Sequence, residues 1–223
     1  GFRDVQLVNG WSIDPARDHE ATLVLTETDD GVRCELTGIL YNTRHEVVEE
    51  NRLLATGLVL LDDEPALIEA ADPGKPILDW HPFLYPEEFV MFHGPPYRTL
   101  TRIALQHGGG HAMIEGRPRN ELIGARSGDG MLTAAAALDG CMYACGSFVF
   151  FMVDKSVEIP RGIDSYRQAR LPREGEKCAL RLFYRGPAGR GSLYDFNLVG
   201  EPGDAILEVK GYRSVRLENG NVD

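Results

Sequence analysis

Residues 134–153, AAAALDGCMYACGSFVFFMV, hold one ionisable carboxylate, Asp139, among alanines, glycines and aromatics. A carboxyl group in apolar surroundings is chemically useful, because desolvation favours its protonated form and lets it donate a proton near neutral pH. A local reading competes. Asp139-Gly140-Cys141 also suits an N-cap for a helix starting at Gly140, and an acid in a helix's first turn is stabilised as the anion. Tyr143 follows one helical turn later, so its hydroxyl can serve the same carboxyl or a substrate hydroxyl beside it, or be an ordinary core tyrosine.

The elements around Asp139 must hold it in place. Thr133 is the natural cap for a helix that begins in the alanine run, and residues 131–153 are the only stretch that reads as a long helix. Strands surround it. Residues 21–27 and 32–42 form a hairpin around Asp-Asp-Gly, with Val32, Cys34 and Leu36 alternating, and residues 1–8 and 52–62 add two more strands. Residues 65–88 are Pro-rich and aperiodic and read as a linker. Strand sequence resumes at 97–107, passes a glycine turn at 108–110 and continues at 111–116. After the helix come strands at 177–186, 192–200 and 205–218. A few strands, one apolar helix and more strands describe an α+β unit whose curved antiparallel sheet wraps a central helix. The first half has similar strands and no such helix.

Composition removes several function classes. With 23 Lys and Arg against 34 Asp and Glu, the net charge of −11 repels a phosphate backbone. The richest basic stretch, 161–173, is interrupted by Asp164 and followed by Glu174 and Glu176, so it reads as a solvated surface and no nucleic-acid partner is expected. A membrane span at 131–153 is opposed by the roughly 2.5 to 3.5 kcal/mol cost of an acid at mid-helix. Cys34, Cys141, Cys145 and Cys178 lack the paired spacing and histidine partners of a zinc site, so no metal is expected and the thiols read as buried and reduced, as in the cytoplasm. The GGG at 108–110 lacks the Lys-Ser/Thr ending of a phosphate loop. The opening GFRDVQLVNGW has no signal-peptide pattern and enters strand sequence directly.

LTAAAALDGCMYACG, VEIPRGIDSYRQARLP and LYDFNLVGEPGDAILEVKGYRSVRL together resemble the second half of the dehydratase domain of polyketide and polyunsaturated fatty acid synthases. FVMFHGPPYRTLTRI is similar to the segment that opens that half, and GVRCELTGILYNTRHEVVEENRLLATGLVLL to the end of the first. The resemblance implies a double hotdog, two helix-in-sheet units in one chain, with the first unit incomplete: residues 1–64 its C-terminal part, 65–88 a linker, 89–217 the second unit and 218–223 a tail. It places the catalytic aspartate of an HPxxLDxxxQ-type motif on Asp139, with Ala134-Ala135 replacing the motif's His-Pro and Tyr143 its Gln or His. The family's HxxxGxxxxP histidine has no counterpart among His19, His45, His81, His93, His107 and His111, so by the resemblance it is expected upstream of Gly1.

The function implied is elimination of water from a 3-hydroxyacyl thioester on an acyl carrier protein. A base takes the C2 proton while an acid protonates the C3 hydroxyl, both on one side of the substrate. Asp139 is the expected acid, and Tyr143, His93 and Tyr97 the expected substrate-lining residues, although His93 also reads as a turn histidine satisfied by backbone. No cofactor beyond the carrier's phosphopantetheine is implied. Expected partners are the carrier protein, other synthase domains and, as a homodimer, a second copy, with Arg161, Arg167 and Arg170 as docking candidates. Two alternatives keep the fold: a noncatalytic acyl-binding or scaffolding module, and a cyclisation domain like the product-template domains.

Overall fold

The computed structural model describes residues 1–10, 18–61, 79–86, 93–122, 132–201 and 203–217. Eleven antiparallel strands form one sheet, in the order β2-β3-β4-β1-β8-β11-β10-β9-β7-β6-β5. The strands are β1 (Phe2–Leu7), β2 (Ala21–Thr28), β3 (Gly31–Tyr41), β4 (Val47–Val59), β5 (His81–Pro82), β6 (Leu100–Gln106), β7 (Gly109–Glu115), β8 (Glu158–Gln168), β9 (Lys177–Ala188), β10 (Gly191–Val199) and β11 (Ala205–Arg216). A four-residue helix, α1 (Arg119–Leu122), and a long one, α2 (Ala135–Met152), complete the described elements, with a 3-10 turn at Pro95–Tyr97.

The sheet from β8 to β5 wraps α2, which packs against β6, β7, β8 and β10. This is the hotdog arrangement expected from the strand-helix-strand pattern. The β2-β3-β4-β1 portion joins it through the β1–β8 ladder, where Arg161 Nη1 donates to the Leu7 and Val8 carbonyls at 2.5 and 2.6 Å. Among the described residues no helix lies on that portion, and Leu23, Leu25 and Val48 are exposed there.

Small residues let α2 sit deep in the sheet. Ala137, Cys141, Ala144, Cys145, Phe148 and Val149 are buried at helical spacing and meet Leu100, Ile114, Leu180, Leu198 and Val209. Each large apolar side chain buried this way contributes about 1.5–3 kcal/mol before entropic costs. Although α2 is long and apolar enough to cross a membrane, it is the core of this sheet instead. The closest approach is at Gly140, where a Cβ would stand 2.1 Å from the Thr99 hydroxyl oxygen. Thr99 is fully buried and donates to the Ala136 carbonyl at 3.1 Å, tying the helix to the segment that leads into β6.

Several local expectations are corrected. Thr133 does not cap α2, and neither does Asp139, which is the fifth residue of the helix. The amide of Gln168, from β8, takes over: its Oε1 accepts from the Ala134 N–H and its Nε2 donates to the Leu132 carbonyl, both at 2.8 Å. The 161–173 stretch contains most of β8, a strand whose Pro160, Gly162 and charges hid its pairing with β1 and β11. Only Gly108 belongs to the 108–110 turn; Gly109 and Gly110 start β7, and a Cβ on Gly109, at φ 153°, would meet the Leu182 carbonyl oxygen at 2.0 Å. The end of the supposed linker holds edge strand β5, paired with β6, whereas residues 65–78 and 87–88 lie outside the described residues, as does the 218–223 tail. Cys141, Cys145 and Cys178 are buried and free, and Cys34 is free but half-buried.

Arg170 grips two carboxylates at once. Its guanidinium bonds Glu176 at 2.5 and 2.8 Å and Asp204 at 2.6 and 3.1 Å, joining the segments that follow β8 and precede β9 and β11. The Arg170 hydrogen bonds hold the Glu176 carboxyl below its usual range. Arg161 and Arg170 thus hold contacts within the fold, and Arg167 stands opposite Glu208 in the β8–β11 register.

Two stability outcomes follow. Gly140→Ala should lower stability by about 1–3 kcal/mol in urea unfolding through overpacking on Thr99. Gly146→Ala should be neutral or stabilising by up to about 1 kcal/mol, since its Cβ would meet only the Glu158 carbonyl oxygen at 3.9 Å. A carboxyl depressed in the folded state stabilises above its unfolded pKa and loses that contribution as pH falls through the folded value. Melting temperature should therefore fall on acidification below the ordinary glutamate range, and Glu176→Gln should flatten that fall while lowering the neutral-pH value.

Candidate active site

Asp139 reaches the site because α2 starts four residues before it and the Thr99 anchor sets the helix's depth. Its Oδ2 lies 2.9 Å from Nε2 of His93. That approach has the length of a hydrogen bond without its direction, for Oδ2 is buried and receives no aligned donor. The Asp139 side chain keeps 31% exposure and that of His93 12%, so the pair is open to a small ligand on one side.

His93 is held from its backbone and its ring. Nε of Arg98 donates to the His93 carbonyl at 2.9 Å, and Nη2 of Arg117 donates to the Arg98 carbonyl at 2.8 Å. The imidazole packs edge-to-face on Tyr143 at 4.5 Å between ring centroids and lies 5.8 Å from Tyr85. Tyr85 and Phe83, just after β5, close the cluster by contacts with each other and with Tyr143 at 5.1–5.5 Å. The Tyr85 hydroxyl accepts from the Leu100 N–H at 2.9 Å, fixing the ring against β6. Arg98 also sits over the Tyr85 ring, 5.9 Å from its centroid.

Burial pushes both phenols above their ordinary range, Tyr85 strongly, and the Asp139 charge adds to the shift at each. Both stay neutral near pH 7 and can act only as hydroxyl groups. An apolar groove of about 320 Å³, bounded by Phe83, Leu84, Tyr143, Gly146, Phe150 and Phe151 and ending at Ser156, Val157 and Glu158, shares Tyr143 with the cluster, while Asp139 and His93 do not line it. Glu158 is a buried carboxylate at that far end, bonded by the hydroxyls of Ser192 and Ser214 at 3.1 and 2.5 Å. Among the described residues no three His, Cys, Asp or Glu side chains gather as a metal site would require.

Of the residues picked out by sequence, Asp139, His93 and Tyr143 come together. Tyr143 meets His93 and the groove and does not bond the Asp139 Oδ2. Tyr97 ends the 3-10 turn, and no ring contact among the described residues joins it to the cluster. Tyr85, which was not singled out from the sequence, supplies the second phenol of the cluster instead. Its signal was the pair of aromatics Phe83 and Tyr85 between Pro82 and Pro86, inside the stretch read as linker and just after the two-residue strand β5. Glu158 carried no sequence signal, because its burial depends on three strands meeting.

Tyr85→Phe keeps the ring and removes the acceptor for the Leu100 N–H, so it should cost about 1 kcal/mol in chemical unfolding with the near-ultraviolet spectrum otherwise preserved.

No protein-family model and no curated protein matches the chain. Solved structures do. A monomeric dehydratase domain from a trans-acyltransferase polyketide synthase split module superposes with TM-score 0.68 at 13% identity, covering 97% of this chain and 81% of that one. An inactive CurK dehydratase with an aspartate replaced by asparagine gives TM-score 0.66 at 16% identity, covering 97% and 76%. A trans-acyltransferase polyketide synthase enoyl-isomerase gives 0.64 at 15%, covering 96% and 79%. The antiparallel sheet wrapped on α2 therefore has the hotdog architecture of polyketide synthase dehydratase domains.

Proposed function

We propose that this chain is a dehydratase module of a polyketide or fatty acid synthase, removing water from a 3-hydroxyacyl thioester on an acyl carrier protein to give a 2-enoyl thioester. The observation that carries the reading is the half-buried Asp139 carboxyl, with an orphaned oxygen, on the core helix one turn before Tyr143, which lines an apolar groove. An acyl chain fits the groove's lining, and its C3 hydroxyl can then meet the carboxyl. Asp139 acts as the acid that protonates the leaving hydroxyl. The inactive CurK neighbour bears on the same point, since its change is at an aspartate.

Elimination of water needs a proton donor and a proton acceptor and no redox cofactor. The phosphopantetheine arm of the carrier protein delivers the substrate, other synthase domains supply and remove it, and a second copy is a further partner. Four free thiols suit a reducing cytoplasm. The fold alone does not select the reaction, because the enoyl-isomerase neighbour has it too.

Incubating the chain with a carrier-bound 3-hydroxyacyl thioester should yield the enoyl product by mass spectrometry, and Asp139→Asn should reduce its rate by about 10²- to 10⁴-fold. Binding without turnover would favour the acyl-binding module, ring products the cyclisation domain, and double-bond migration without water loss the isomerase.

A further inference from the structure

We infer that Gly146 is a specificity-determining residue: the groove it lines takes the alkyl tail of the acyl thioester, and the missing side chain keeps that groove open to tails of about ten to twelve carbons. The inference rests on the dehydration reading above and adds the class of tail to it.

A glycine inside a helix costs about 1 kcal/mol relative to alanine, so its presence calls for a reason. The helix α2 holds two. Gly140 has its reason in Thr99, whose hydroxyl oxygen would stand 2.1 Å from a Cβ. Gly146 has no reason of that kind, because among the described residues a Cβ there would meet only the Glu158 carbonyl oxygen, at 3.9 Å. What a side chain at Gly146 would fill is the groove. Room for a ligand against the helix backbone is a use that glycine serves and a larger residue does not.

The groove continues the site along one stripe of the helix. Asp139, Tyr143, Gly146, Ser147 and Phe150 recur at the spacing of successive turns and so share a face. Asp139 and His93 do not line the groove, so the reacting carbons stay outside it and the part of the substrate that passes Tyr143 is the unreactive tail. Along the helix axis Gly146 stands about 10 Å and Phe150 about 16 Å beyond Asp139. An extended alkyl chain advances about 1.3 Å per carbon, so a substrate with C3 at Asp139 draws level with Gly146 near about C11.

The walls suit carbon. Phe83, Leu84, Phe150 and Phe151 present apolar surface, the Ser147 hydroxyl donates to the Tyr143 carbonyl at 2.9 Å, and the Glu158 carboxylate already accepts from Ser192 and Ser214. The Ser156 hydroxyl, which lacks an aligned partner among the described residues, lies at the end that the tail reaches last. Leu84 and Phe151 are exposed, and a tail laid against them removes apolar surface from water.

The test compares 3-hydroxybutanoyl and 3-hydroxydodecanoyl N-acetylcysteamine thioesters in turnover, and the unreactive butanoyl and dodecanoyl thioesters in binding by calorimetry. Wild type should favour the longer chain in both kcat/KM and Kd. In Gly146→Leu that preference should fall by about 10- to 100-fold, through KM and Kd rather than kcat, and in Gly146→Ala by a smaller factor. Thermal melts check folding, and Gly146→Ala keeps the comparison open if the leucine variant does not fold. A preference that is absent in wild type, or that both folded variants retain, overturns the tail site, and turnover by wild type then keeps the dehydratase reading. Selective binding of the longer chain that the variants lose, without turnover of either substrate, keeps the tail site and removes dehydration. A folded wild type that neither binds nor converts either chain overturns both.

Discussion

The contact between Gly140 and Thr99 sets the depth of α2 in the sheet, and the site depends on that depth. A helix carrying any side chain at Gly140 would be pushed off the segment entering β6, since its Cβ would meet the Thr99 oxygen at 2.1 Å. Because Thr99 also bonds the Ala136 carbonyl, one buried threonine fixes both the height and the rotation of the first turns. Asp139 is the next residue, so its reach toward the 3-10 turn is decided by the same packing. The alanines and cysteines of α2 serve this close approach rather than a metal or a membrane.

A second layer of constraint brings the partner to Asp139. His93 sits on no regular element, and the chain positions it through the Arg98 and Arg117 hydrogen bonds and the Tyr85, Tyr143 and Phe83 rings. Ring packing restricts the orientation of the imidazole. The groove that Tyr143 lines is apolar up to the end where Glu158, satisfied by two serine hydroxyls, supplies a polar wall. Arg170, with Glu176 and Asp204, ties together the segments that follow β8 and precede β9 and β11.

The dehydratase and enoyl-isomerase neighbours share this fold at 12–16% identity, so the architecture tolerates wide change in sequence and chemistry. What distinguishes one reaction from another is which proton-carrying groups meet the substrate's C2 and C3 positions. In this chain an imidazole and a carboxyl from neighbouring segments approach within 2.9 Å.

Period-two alternation in β2, β3, β9, β10 and β11 and the single apolar run of α2 are local properties, so the sequence by itself determined the strand-rich hotdog class and singled out Asp139 as an isolated acid on a helix. It did not reveal β8, whose buried face is marked only by Glu158, Gly162, Ile163 and Tyr166, because pairing with β1 and β11 compensates for its proline and charges. Nor did it reveal the cap on α2, which Gln168 supplies from a residue distant in sequence, or the place of Tyr85. The meeting of His93 with Asp139 spans 46 residues and was decided only by the tertiary structure: hydrogen bonds and ring contacts between segments carry no periodicity along the chain, and they exist only once the sheet has closed around the helix.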